Sequence, residues 1–200
     1  VGIGASNTFA QWGSFEALAS GDPLVNPILV LVNGGQGGQS AEVISDPGAQ
    51  YWNNLEHRIS LHGISNEQVQ VAWFLEAAKA TNLTFPEHSM ELRRHASEAL
   101  KIAKSRFPNL ALVYISSRVY GGYATSTLHP EPLAFESAFG FKWLIESQIE
   151  GDPELNFDPT QGPVTVPWIS WGPYTWADGL RARSDGWVWE CDDFASDGTH

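Results

Sequence analysis

The stretch Pro27-Ile28-Leu29-Val30-Leu31-Val32-Asn33, followed at once by Gly34-Gly35-Gln36-Gly37-Gly38, sets the reading of the fold. A continuous Leu and β-branched run without polar alternation predicts a strand buried on both faces, as in a parallel sheet. The glycines behind it predict a sharp turn at the strand end. Outward from this pair the same pattern repeats. Upstream, residues 1–5 read as the end of a strand. Residues 8–20 read as a helix, with Phe9, Trp12, Phe15 and Ala19 at helical spacing and Gly21 and Pro23 to stop it. Downstream, residues 39–62 read as helical, restarting at Pro47, a favoured first helical position. Residues 68–74 (QVQVAWF) read as a third strand, and residues 86–106 as a long helix opened by Pro86 and Glu87. Residues 109–116 (NLALVYIS) read as a fourth strand, and residues 131–150 as a helix bearing Phe135, Phe139, Trp143 and Ile149. Residues 164–171 read as a fifth strand, set at an edge by Pro167, before a long loop over 172–200. Strands alternating with helices predict parallel strands joined by right-handed crossovers, hence a three-layer α/β/α fold with a mainly parallel sheet of about five strands. With no low-complexity linker and no internal repeat, residues 1–200 read as a single domain. Its first strand is already under way at Val1 and its last loop stops at His200, which reads as a domain trimmed at both ends.

Composition narrows the function classes. The chain has 200 residues, 42% of them hydrophobic, enough for one core. It contains no apolar run of about 18 residues, so no membrane span is expected. A net charge of −12 argues against a nucleic-acid partner, which would need clustered Lys and Arg, and against an anionic membrane surface. The basic residues Arg93, Arg94, Lys101, Lys104 and Arg106 fall in one predicted helix and read as its solvated face. The single cysteine, Cys191, excludes an internal disulfide and a Cys-rich zinc site and leaves the compartment open. No metal or cofactor site is expected. Five of the nine tryptophans (Trp168, Trp171, Trp176, Trp187 and Trp189) crowd the last segment, where aromatic rings either build core or line a sugar-binding cleft.

In an open parallel sheet, ligands bind beyond the carboxyl ends of the strands. Gly4-Ala5-Ser6-Asn7-Thr8 follows the first strand, and the glycine turn running on to Ser40 follows the second. Leu75-Glu76 follows the third and Ser116-Ser117-Arg118 the fourth. The closing loop ends in Asp197-Gly198-Thr199-His200. A serine, a glycine turn and an Asp–His pair thus fall on one sheet edge. Serine is a weak nucleophile until a base takes its proton, and histidine serves if a carboxylate holds its tautomer. Ser6 by itself reads as a helix cap, and Asp197 and His200 by themselves as a polar turn. Together they read as nucleophile and base. Arg118 reads equally as a surface ion pair or as a substrate-binding group for a carboxylate or hydroxyl. His129 reads as a loop or helix-cap residue, and His57, His62, His88 and His95 as surface positions.

These residues carry a resemblance. Gly4-Ala5-Ser6-Asn7 looks like the first block of the SGNH (GDSL-like) hydrolases. Residues 31–41 (LVNGGQGGQSA) resemble the second, particularly in the carbohydrate acetylesterase branch, and Asp197-Gly198-Thr199-His200 matches the last, Asp-x-x-His. The resemblance implies Ser6, Asp197 and His200 as catalytic residues, with the backbone N–H groups of Ser6 and Gly38 as an oxyanion hole. It implies hydrolysis of a short-chain, acetyl-type ester of a carbohydrate or other small molecule, with no cofactor. One block departs from the family: its usual Asn after the third strand, a side-chain oxyanion donor, is absent from Ala72-Trp73-Phe74-Leu75-Glu76-Ala77. Trp73 through its indole N–H, Asn7 and Lys79 are the candidate substitute donors, with Trp73 and Asn7 joining Arg118 as candidate substrate-binding residues, and an ionised Glu76 cannot donate. The missing Asn also suggests a non-catalytic, carbohydrate-binding descendant of the same fold. A nucleotide-binding reading of Gly35-Gln36-Gly37-Gly38-Gln39-Ser40 lacks the last glycine of Gly-x-Gly-x-x-Gly and any following Gly-Lys.

Overall fold

A computed structural model describes residues 1–79 and 82–200. It is an α/β fold with helices on both faces of a four-stranded, all-parallel sheet, in the order β1-β2-β3-β4. The strands are β1 (Gly2–Gly4), β2 (Val71–Leu75), β3 (Leu112–Ser116) and β4 (Trp168–Trp171). The helices are α1 (Ser6–Ser20), α2 (Ala41–Ile44), α3 (Gln50–Leu61), α4 (Glu87–Arg106) and α5 (Leu133–Ile149). Among the described residues no helix is long and apolar enough to cross a membrane.

Residue alternation along each strand divides the two layers. Ile3, Ala72, Phe74, Val113, Ile115 and Ile169 are buried in one continuous core with Trp52, Leu55 and Ile59 of α3, Leu92 and Leu100 of α4, and Phe141 and Leu144 of α5. Burying each Val, Leu, Ile or Phe among them contributes about 1.5–3 kcal/mol relative to leaving it in water. The opposite face carries Trp73, which stacks on Trp12 of α1 with ring centroids 6.1 Å apart.

The expected five strands become four, because residues 27–33 are not a strand. Only Asn33 bridges to Gly2, and the Gly2 N–H donates to Val32 O at 3.0 Å. Local turn chemistry wins over the ladder at the other end: Asn26 Oδ1 accepts from Ile28 N–H and Asn26 O from Leu29 N–H. Ile28 is 83% exposed, whereas Val32, beside the bridge, is buried. The helical stretch expected over 39–62 is two helices. Asp46-Pro47-Gly48 forms the turn between α2 and α3, with Asp46 Oδ1 accepting the Gly48 N–H, so Pro47 opens no helix. β4 lies at the sheet edge, as Pro167 implied. His88, expected at the surface, is 1% exposed on α4, with Nδ1 4.0 Å from Glu136 Oε2 of α5.

Candidate active site

The first strand–helix junction is made tight by Gly4. A Cβ there would lie 2.0 Å from Leu75 O and 2.3 Å from Thr8 Oγ1, and its φ of +148° suits only glycine. Ala5 is extended, and α1 begins at Ser6. Ser6 therefore occupies the first turn of a helix, where backbone N–H groups have no intrahelical acceptor and the helix end is positive.

The chain returns to this point 194 residues later. Ser6 Oγ and His200 Nε2 are 2.5 Å apart, and His200 Nδ1 lies 2.5 Å from Asp197 Oδ2. Asp197 Oδ1 also accepts the Thr199 N–H at 3.0 Å and the His200 N–H at 3.2 Å, in a turn where Gly198 takes φ +68°. Burial opposes ionisation of Asp197, but these hydrogen bonds outweigh it and hold its pKa below the ordinary value. With the carboxylate accepting from Nδ1–H, the Nε2 lone pair is left for the Ser6 hydroxyl proton, a tautomer assigned from the hydrogen-bond network.

Asn7 and Arg118 anchor the loop that carries the histidine. Asn7 Nδ2 donates to Thr199 O at 2.7 Å, while Asn7 Oδ1 accepts from Arg118 Nη1. Arg118 Nη2 reaches Thr199 O at 3.4 Å. Arg118 is 4% exposed, and burial lowers its pKa to about 10, which leaves it a cation at neutral pH. Both residues line the Ser6 cleft, but their engaged polar atoms position the His200 loop.

The glycine turn reaches the same place. Gly38, at φ +73°, lines the cleft. The turn is held by Arg58 Nη1, which donates to Asn33 O at 2.9 Å and Gly35 O at 2.8 Å, and by Gln36, whose N–H donates to Gly4 O. Tyr51 supports both junctions: its hydroxyl accepts the Gly4 N–H and its carbonyl accepts from Gln36 Nε2. The cleft so formed has a volume of about 610 Å³, with Ser6, Gly38, Glu76, Arg118, His129 and His200 among its lining residues and Val43, Leu75 and Leu128 as apolar wall.

Trp73 is not in this cleft. Its side chain faces α1, and Nε1 donates to Ser116 Oγ at 2.8 Å, so the indole N–H does not point into the Ser6 cleft. It lines a separate apolar groove of about 630 Å³ with Trp12 and Tyr114, in which, among the described residues, there is no carboxylate, imidazole or basic side chain. The late tryptophans also lie outside the Ser6 cleft: Trp187 packs on Trp189, and Trp176 on Phe135. Lys79 lines the cleft, its backbone N–H held by the Glu42 carboxylate. Among the described residues no group of three or more His, Cys, Asp or Glu is placed to hold a metal ion.

The sequence does not single out Arg58 or Tyr51, and His129 reads in it only as a loop or helix-cap residue. Nothing in the local sequence of a helical Arg or Tyr marks it as the support of a distant turn. His129 lies in the Leu128-His129-Pro130 loop at φ +52°, with Nε2 on Ala78 O and a buried Nδ1 that has no partner. The chain matches no family model, no curated protein and no solved structure.

Proposed function

We propose that this chain is a serine ester hydrolase of the SGNH kind, with Ser6 as nucleophile, His200 as general base and Asp197 as the group that orients it. The observation that carries this reading is the continuous chain of contacts from Ser6 Oγ to His200 Nε2 and from His200 Nδ1 to Asp197, opening on a cleft. In the first step Ser6 Oγ attacks the ester carbonyl as its proton passes to His200 Nε2. The carbonyl electrons move onto oxygen, where the N–H groups of Ser6 and Gly38 and the positive end of α1 stabilise the charge. The intermediate collapses with release of the alcohol, which takes the proton from His200 and leaves an acyl-serine. Water, activated by the same histidine, then releases the acid.

A short acyl group, acetyl in the first instance, on a carbohydrate alcohol is the substrate class we propose. The resemblance of residues 31–41 to the acetylesterase branch supports it, and the late tryptophans supply no part of the argument, since they do not line the cleft.

The test is labelling with a fluorophosphonate, followed by peptide mapping and by turnover of p-nitrophenyl acetate. The label should map to Ser6. Ser6→Ala should abolish both labelling and turnover while the thermal midpoint stays within about 2 °C of wild type, as expected for a small change at a half-buried position. A label on Ser116 or another serine overturns the assignment of the nucleophile. A folded protein that neither labels nor turns over would be a binder built on the same scaffold.

A further inference from the structure

Glu76 is the first residue beyond β2. The register pairs Leu75 with Gly4, so Glu76 emerges next to the Ala5-Ser6 junction. On its other side, Ala77 O accepts the Ala41 N–H at 3.0 Å, which ties this strand end to the turn carrying Gly38. Glu76 is among the residues lining the same cleft as Ser6, Gly38 and His200 and is 1% exposed. Its hydrogen bonding is incomplete: the Ala77 N–H donates to Oε2 at 3.0 Å, while Oε1 is shielded from water and has no partner. Among the described residues no basic nitrogen lies within ion-pair distance of it.

A buried carboxyl without a paired cation keeps its proton, because desolvation disfavours the charged form. Burial drives the Glu76 pKa well above the ordinary carboxylate value, and Glu42 of α2 pushes it the same way. The Ala77 N–H and the Arg118 charge oppose the shift without overcoming it. Tyr51 of α3, itself shifted upward by burial, and Lys79, His129 and His200 around the cleft complete its titratable surroundings.

We propose that the Glu76 carboxyl, carrying its proton, is the third hydrogen-bond donor to the oxyanion formed when Ser6 attacks an ester. The inference rests on the ester-hydrolase reading above. A carboxylic acid kept neutral by an apolar site donates a strong hydrogen bond to a developing oxyanion. No proton is transferred: Ser6 Oγ bonds to the carbonyl carbon, the Ser6 proton goes to His200 Nε2, and the Glu76 O–H only shortens its hydrogen bond to the new oxyanion. Collapse restores the carbonyl, with the leaving alkoxide taking the proton from His200. The absent Asn is thereby replaced by a donor that sequence alone reads as an acceptor.

Glu76→Gln and Glu76→Leu separate the donor from a packing role, with p-nitrophenyl acetate as substrate. The amide of the first variant still donates, so kcat should stay within about fivefold of wild type, whereas loss of the donor in the second should lower kcat about 10²- to 10³-fold with little change in KM. Wild-type kcat should also fall on the alkaline side as the carboxyl ionises and stops donating, and this limb should vanish in Glu76→Gln. An infrared carbonyl band of a protonated carboxyl at neutral pH, lost in Glu76→Gln, reports the same proton even if the leucine variant does not fold. Equal kcat for wild type and Glu76→Leu, or no such band, overturns the inference while Ser6 labelling leaves the hydrolase reading standing. If wild-type Ser6 does not label, both fall together.

Discussion

At the residue scale, His129 is a side chain whose charge state follows from its surroundings. Burial and the nearby Arg118 charge lower its pKa from 6.5 to about 4. Its folded pKa is depressed, so the unfolded chain takes up the proton first as pH falls. The stability it contributes is present above pH 6.5 and is lost as pH falls from about 6.5 to about 4, by roughly 3 kcal/mol in all. Denaturant midpoints measured across that window should show this slope. It should flatten in His129→Asn, a residue that tolerates the φ of +52°. An unchanged slope would mean that the imidazole is not held neutral. The same physics, acting on a carboxyl, raises the pKa of Glu76. The meeting of Ser6, Asp197 and His200 was legible because residue type and position at the strand ends are written in the sequence. The charge states of Glu76 and His129 were not, because burial sets them.

At the element scale, residues 27–33 are the segment where pattern and structure part. Their composition is that of a doubly buried strand, but they lie beyond the β1 edge with Asn26 turning the chain and only Asn33 bridging to it. Stability measurements check this. Ile28→Ala should change the unfolding free energy by no more than about 0.5 kcal/mol, as expected for an exposed side chain. Val32→Ala, which removes buried methyl groups, should cost about 1–3 kcal/mol. A strand buried on both faces would make the two losses alike. The helices were read more faithfully, since α1, α4 and α5 fall within two residues of the expected bounds. Length and start and stop signals such as Gly21, Pro23 and Pro86 mark these helices, whereas a short apolar run carries no information about what covers it.

At the scale of the whole molecule, the site exists only because opposite ends of the chain meet. Ser6 stands on a rigid junction of β1 and α1, while His200 arrives on a loop whose only regular element is the short 3₁₀ turn Cys191–Asp193. That loop meets the rest of the molecule through Thr199 O on Asn7 and Arg118, Thr125 N–H on Asp197 O, Tyr123 O–H on Trp189 O, Trp176 Nε1 on Glu131 and the ring contact of Phe194 with Tyr123. None of residues 180–197 is buried, and a solvated segment of that kind opens at a lower free energy than the core. In a denaturant titration, fluorophosphonate labelling of Ser6 should therefore be lost before the change in tryptophan emission that reports on Trp52 and its neighbours. Coincident transitions would show that the loop and the core unfold as one unit.

The amino-acid sequence by itself determined the alternation of strands and helices, the parallel sense of the sheet and the order in which its strand ends present chemistry. It also placed Ser6 at a strand–helix junction and Asp197 three residues before His200, because these depend on local periodicity and short spacing. Tertiary structure alone decided the rest. It put Trp73 on the α1 face with its N–H on Ser116, turned Arg118 and Asn7 into anchors for Thr199, and left residues 27–31 outside the sheet. It also buried Glu76 beside Ser6 with no ion-pair partner among the described residues. Each of those outcomes depends on which distant segments exclude water from a given atom, and desolvation by sequence-distant neighbours leaves no periodic trace in the chain.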